Sequence, residues 1–214
     1  MKIQRYRITF SKTEAMRFTG HLDLILTWER TFRRAGLPLA YSEGFSSRPV
    51  LNMATPLPLG YTSTAEVGDF WLSKIISRDI FQNSLERSLP PGLIIHTIQE
   101  IEHIHGPKLP ALTEASVYTI ELKTNYPDLS GRISEILQSA ELYRERKGKK
   151  YDLRPLIKSI SIINQNSSIP GLQVTLTTHS GATGRPDEVL RALDIPPEES
   201  KICRTQIILK EGVE

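Results

Sequence analysis

One cysteine, Cys203, is all the thiol chemistry that this chain of 214 residues contains. A single thiol closes no intramolecular disulfide and supplies no multi-thiolate zinc or iron–sulfur site. The sequence also lacks any apolar run approaching the roughly 20 residues of a membrane-spanning helix, and no apolar stretch follows its basic start. These absences predict a protein with no membrane partner, working in the cytoplasm. There is no Gly-x-Gly-x-x-Gly turn after a strand and no glycine loop ending in Lys-Ser/Thr; "GATGRPDE" has glycines without that pair. No nucleotide cofactor is expected, and indeed no cofactor of any kind. Histidines and carboxylates do not complete a metal pattern either, so no metal is expected, although His103 and His105 at alternate strand positions would share one face.

With 39% hydrophobic and 24% charged residues, the chain has material for one or two packed domains. The net charge of +3 is mild, but it is unevenly placed. Arg144, Arg146, Lys147, Lys149, Lys150, Arg154 and Lys158 are offset only by Glu145 and Asp152. Such a patch attracts phosphates and speeds encounter with a polyanion. It is equally compatible with a solvated loop or helix end.

The order of periodic segments indicates a duplicated architecture. "KIQRYRITF" alternates around Tyr6, Ile8 and Phe10, with Arg5 and Arg7 making the other face polar. "GHLDLILTWERTFRRA" gathers Leu24, Ile25, Trp28, Phe32 and Ala35 on one helical face, and Gly36 supplies a stop. Strands are expected near residues 39–42 and 65–72, a helix over "SRDIFQNSLERSL" and a strand over "LIIHTIQEIEHI". After the Pro-containing stretch "HGPKLPALTEAS" the order β-α-β-β-α-β returns. The expected fold class is therefore α+β, built as tandem ferredoxin-like (β-α-β-β-α-β) units with antiparallel sheets. Their boundaries are read as 1–104 for the first unit, 105–115 for a linker and 116–214 for the second.

Read together, "GHLDL", "WERTFRRAGLPLAYSEGF", "PLPLG", "YDLRPLI", "GATGRPDEVLRAL" and the late Arg204-Thr205 resemble the radical SAM-linked protein family, over nearly the whole chain. Where that pattern reads Gly-Phe-Asn-Pro before a basic or histidine residue and Pro, this chain has "GFSSRP". The family is bacterial, of unestablished biochemical role, and found beside or fused to radical SAM proteins carrying a cobalamin-binding domain. The resemblance thus implies such a protein as partner. Radical SAM chemistry itself needs three closely spaced cysteines, which this chain does not have.

Candidate site residues fall in three groups. In "AYSEGFSSRPV", Tyr41 and Phe45 offer faces for stacking bases and Arg48 a planar charged fork, extended by Arg30, Arg33 and Arg34 on the preceding helix. The alternative is that Tyr41 and Phe45 plug a gap between helix and sheet while Arg48 pairs with Glu43. The second group is Arg144, Arg146, Lys147, Lys149, Lys150, Tyr151 and Arg154, joined by Arg185 of "GATGRP"; a cleft between the two units is the expected meeting place. The third is His21 alone, on the apolar stripe at a helix start, the one candidate for general acid or base catalysis. A lone histidine at that place serves structure or ligand contact as readily, so the reading leans against an enzyme.

Three functions follow. The first is an accessory RNA-binding protein that presents tRNA or rRNA to the radical SAM partner, with no DNA expected. The second is a metal-independent endoribonuclease using His21. The third is an adaptor that docks on the partner through the apolar residues of "MATPLPLG" and sheet edges without touching nucleic acid.

Overall fold

The computed structural model describes residues 1–146, 148–164, 169–179 and 181–210. The fold is mixed α+β, with few helices and mainly antiparallel strand pairing. The chain divides into two compact units, Met1–Thr113 together with Lys210, and Glu114–Leu209.

The first unit runs β1 (Gln4–Lys12), α1 (His21–Arg34), β2 (Leu51–Met53), β3 (Thr62–Leu72), α2 (Arg78–Glu86), β4 (Leu93–Glu100) and a single turn α3 (Leu109–Leu112). Its sheet has the order β2-β3-β1-β4, with each pair antiparallel. The alternation in β1 does what its period dictates: Tyr6, Ile8 and Phe10 are buried against the helices, whereas Arg5 and Arg7 lie on the other face. From α1, Leu24, Trp28 and Phe32 enter the same core at spacings of four. The rings interlock, with Phe32 stacked on Phe70 at 4.8 Å, Tyr6 stacked on Phe81 at 4.1 Å and Phe10 edge-on to Trp28 at 4.9 Å. Such side chains contribute about 1.5–3 kcal/mol each on burial. Gly36 terminates α1 at φ 67°, where its N–H bonds Arg33 O and that of Leu37 bonds Phe32 O, a double closure that a left-handed glycine permits.

The second unit runs β5 (Thr113–Leu122), α4 (Leu129–Gln138), β6 (Tyr143–Arg146), β7 (Lys149–Asp152), β8 (Ile157–Ile163), β9 (Gly171–His179), β10 (Ala182–Thr183), α5 (Pro186–Ala192) and β11 (Ser200–Leu209). Its first strand begins one residue before the unit boundary. β8 and β5 flank β9, antiparallel to it, and β11 lies next to β5. Tyr118 and Ile120 of β5 stand opposite Val174 and Leu172 of β9, and these four are buried with Ile133 and Ile136 of α4 and Val189 and Leu190 of α5. The β6–β7 hairpin stands apart as its own two-stranded sheet.

Several local expectations are corrected. Residues 39–42 form only isolated bridges, Leu39 with Leu72 and Tyr41 with Pro49; β3 takes its regular pairs in this unit from β1 and from β2. The β2 pairing draws Met53 and Ala54 inward, and Leu57 is buried as well, so of the apolar side chains in "MATPLPLG" Leu59 is the large exposed one. β4 stops at Glu100, which leaves His103 and His105 in a loop rather than on a strand face. Residues 109–112 of the expected linker are helical, and Leu109 and Leu112 are buried.

Candidate nucleic-acid interface

Residues 40–50 fold back as a narrow hairpin. Val50 N–H donates to Ala40 O at 2.8 Å, Ser42 N–H to Arg48 O at 2.8 Å and Arg48 N–H to Ser42 Oγ at 3.0 Å. Ser47 Oγ closes the loop on Ser42 O, and Gly44 at φ 115° makes the turn that an L side chain resists. The outcome is a presented tip. Phe45 is fully exposed, with Tyr41 at 45% and Arg48 exposed beside it. Phe45 therefore plugs no gap between helix and sheet, and the closing hydrogen bonds are made by backbone and serines; Tyr41 is partly covered. On α1, Arg30, Arg33 and Arg34 are exposed; Arg34 also ties the helix end to Ser88 O at 2.8 Å.

The basic segment is a hairpin rather than an irregular loop, with Gly148 at φ 73° in its tight turn. Register sorts its charges. Directly opposite residues share a face, so Arg144 with Tyr151 and Arg146 with Lys149 occupy one side, and Tyr143 with Asp152 and Glu145 with Lys150 the other. The first side holds three cations and one phenol ring with no carboxylate of its own. Lys147 lies outside the described residues.

α5 approaches this hairpin at its base. Arg144 pairs with Glu188 at 3.7 Å, and a cleft of about 520 Å³ runs between β6 and the start of α5, with Arg144, Arg146, Arg185 and Arg191 around Asp187 and Glu188. Arg185 forks onto Asp187 at 2.9 and 3.2 Å, and Arg191 reaches Glu188 at 2.8 Å. Burial pushes the Tyr151 phenol up, Glu188 and Asp187 add to this, and Arg146 and Arg144 oppose it. Glu145 lines the cleft as well, so four arginines face three carboxylates, a net of one positive charge at a rim able to take phosphate oxygens.

The structure thus brings Arg144, Arg146, Lys149, Tyr151 and Arg185 into one neighbourhood and adds Arg191, which the sequence reading missed. Its signal was the helical spacing from Asp187 and Glu188 in "PDEVLRA". Lys150 turns to the other face. Arg154 faces inward, donating to Leu137 O at 2.8 Å and Ile157 O at 3.1 Å, which ties the hairpin's exit to α4 and β8. His21 is the first residue of α1 and half-buried. Among the described residues no group of three or more metal-ligating side chains gathers, and no helix is long and apolar enough to cross a membrane.

A family model described as "Uncharacterized protein conserved in bacteria (DUF2344)" matches residues 5–186. The chain belongs to that family. Among curated proteins none matches this DUF2344 member. Solved structures similar to it include the archaeal box H/ACA sRNP Nop10–Cbf5 complex, at 11% identity and a TM-score of 0.45, over 97% of this chain and 49% of that one. A Cbf5–Nop10–Gar1 complex is similar at 12% identity and a TM-score of 0.47, over 97% and 50%. A putative glycine cleavage system transcriptional repressor follows at 14% identity and a TM-score of 0.25, over 97% and 98%. This chain spans about half the length of the first of these solved chains. Similarity at this level assigns it no function.

Proposed function

We propose that this DUF2344 protein is an RNA-binding accessory protein of the cytoplasm, which presents tRNA or rRNA to a radical SAM enzyme carrying a cobalamin-binding domain. The observation that carries the RNA part is the one-sided hairpin face of Arg144, Arg146, Lys149 and Tyr151 beside Arg185 and Arg191. Cations there meet backbone phosphates, and Phe45 and Tyr41 offer stacking platforms that any unpaired base can use. The radical SAM part rests on the motif resemblance from "GHLDL" to "GATGRPDEVLRAL". Both units are read as ferredoxin-like on this ground: with α3, β6–β7 and β10 taken as additions, the remaining elements follow the order β-α-β-β-α-β, and the sheet order β2-β3-β1-β4 in the first has its counterpart in β8-β9-β5-β11 in the second.

The test is binding of labelled single-stranded RNA across a salt series. Each phosphate contact contributes about 0.7 to the slope of log K against log salt for single strands, so Arg146→Ser with Lys149→Ser lowers the slope by about 1.4. Lys150→Ser, on the opposite face, leaves it unchanged. Absence of binding at low salt, or equal effects from both faces, refutes the reading.

A second reading, an adaptor that docks on the enzyme without RNA, draws on Phe18, Leu22 and Leu26, apolar side chains exposed before and along α1. Complex formation with the radical SAM enzyme in the absence of any RNA binding would favour it.

A further inference from the structure

The polar face of β1 carries a second cluster of charged groups, separate in sequence from the basic hairpin. Cross-strand register sets Asp69 opposite Arg7 and Trp71 opposite Arg5. Asp69 is fully buried, and its carboxylate accepts from Nε and Nη2 of Arg5 and from Nε (2.8 Å) and Nη2 (3.2 Å) of Arg7. Arg5 is 1% exposed and lies over the Trp71 ring, with its guanidinium carbon 4.7 Å from the centroid. Its other hydrogens go to His103 O at 3.2 Å and Pro107 O at 2.8 Å, and Trp71 Nε1 donates to Ile104 O at 2.8 Å. These bonds hold residues 101–107 as an arch over the sheet. Under it is a cavity of about 700 Å³, lined by Arg5, Arg7 and Gln99 on the polar side and by Ile101, Ile104 and Leu112 on the apolar side.

We propose that this cavity binds an organic carboxylate, with the carboxylate on Arg7 and an apolar body under the arch. Asp69 occupies the Nε/Nη2 edge of the Arg7 guanidinium. The Nη1/Nη2 edge has no protein acceptor among the described residues, and two parallel N–H groups on a planar fork match a carboxylate. Arg5 and Arg7 share the buried carboxylate of Asp69, so the floor itself keeps one positive charge for a monoanion, while the carboxylate of Glu102 lies at the exposed rim. Gln99, directly opposite Arg7 in β4, adds a neutral amide; Glu100 also borders the cavity, but its carboxylate accepts from Gln4 at 2.7 Å and the residue pairs with Tyr6 in the register. Glu102, His103 and His105 form the exposed rim. The volume is in the range of sites for small organic ligands, far beyond what inorganic phosphate fills, and its walls of isoleucine and leucine suit a hydrocarbon or aromatic body.

Calorimetric titration of the full chain with benzoate, hexanoate, phenyl phosphate and inorganic phosphate tests this. Benzoate or hexanoate binds, and inorganic phosphate binds at least tenfold more weakly. Gln99→Glu places a carboxylate across from Arg7, where it pairs with the open edge and repels the ligand; it weakens binding at least tenfold while the thermal midpoint is unchanged or rises. The proposal is overturned if no carboxylate binds at millimolar concentration, if Gln99→Glu binds as the parent does, or if either phosphate binds as tightly as benzoate.

Discussion

Replacing Asp69 with alanine removes the one anion between two guanidiniums, and the cost follows from their unequal burial. Arg7 is 14% exposed and regains water on its open side. Arg5 is 1% exposed and boxed in by Trp71 and two carbonyls, so its charge is left in a poorly solvated place. Orphaning one member of a buried pair costs about 3–5 kcal/mol, a large share of the 5–15 kcal/mol by which domains are typically stable. Both tryptophans of the chain, Trp28 and Trp71, belong to the first unit, so tryptophan-selective fluorescence during urea unfolding follows that unit. With a urea slope of about 2 kcal/mol/M, the midpoint falls by about 1.5–2.5 M. The double variant Asp69→Leu with Arg5→Met removes both charges together and recovers at least half of that loss; the carbonyls of His103 and Pro107, on an exposed loop, find water instead. A midpoint shift below about 0.5 M, or a double variant no more stable than the single one, refutes the argument that an orphaned charge sets the cost.

Phe45→Ser leaves the thermal midpoint unchanged, because a fully exposed side chain packs against nothing, yet weakens single-stranded RNA binding by about 1–3 kcal/mol if the tip stacks a base. Unchanged affinity would remove Phe45 from the interface. Burial pushes the phenol of Tyr6 above its usual value near 10, Glu100 adds to this, and the hydroxyl donates to Ile76 O at 2.8 Å. A raised folded-state pKa means that this contribution is complete below pH about 10 and is lost as the pH rises through the raised value. The urea midpoint of the parent therefore declines more steeply than that of Tyr6→Phe above pH 10; parallel declines would contradict the assignment.

Much of the fold was legible because it is written in local periods. The apolar face of α1, the alternation of β1 and the mixed α+β character with antiparallel strands need only neighbours within a turn or a strand to be read. The hairpin from Tyr143 to Asp152 was harder, since its tight turn lies among like charges and no apolar alternation marks it. Its face could be sorted only once Arg146 was known to stand opposite Lys149. The tip at Phe45 was visible as aromatic residues in turn-rich sequence, but its exposure depends on backbone closure by Ser42 and Ser47, which pattern alone does not separate from gap filling.

The cavity in the first unit lay furthest from sequence reading, for a specific reason. Arg5 and Arg7 stood out as a polar face, but what they form depends on Asp69, 64 residues beyond Arg5, and on carbonyls of residues 103 and 107 that carry no residue-type signal at all. Once assembled, the arrangement is not what stability alone requires. A buried ionic triad is often matched or exceeded in stability by apolar side chains of similar volume. Leucine or methionine at positions 5, 7 and 69 would pack the sheet against the 101–107 arch as well, with backbone carbonyls turned to water. What apolar residues could not supply is a guanidinium clamped on one edge by Asp69, so that it cannot swing away, with its other edge turned into a cavity. Fixing the fork in advance removes the entropy that a free arginine loses on meeting a carboxylate. That is the physical ground for expecting the Gln99→Glu variant to silence the site without weakening the fold.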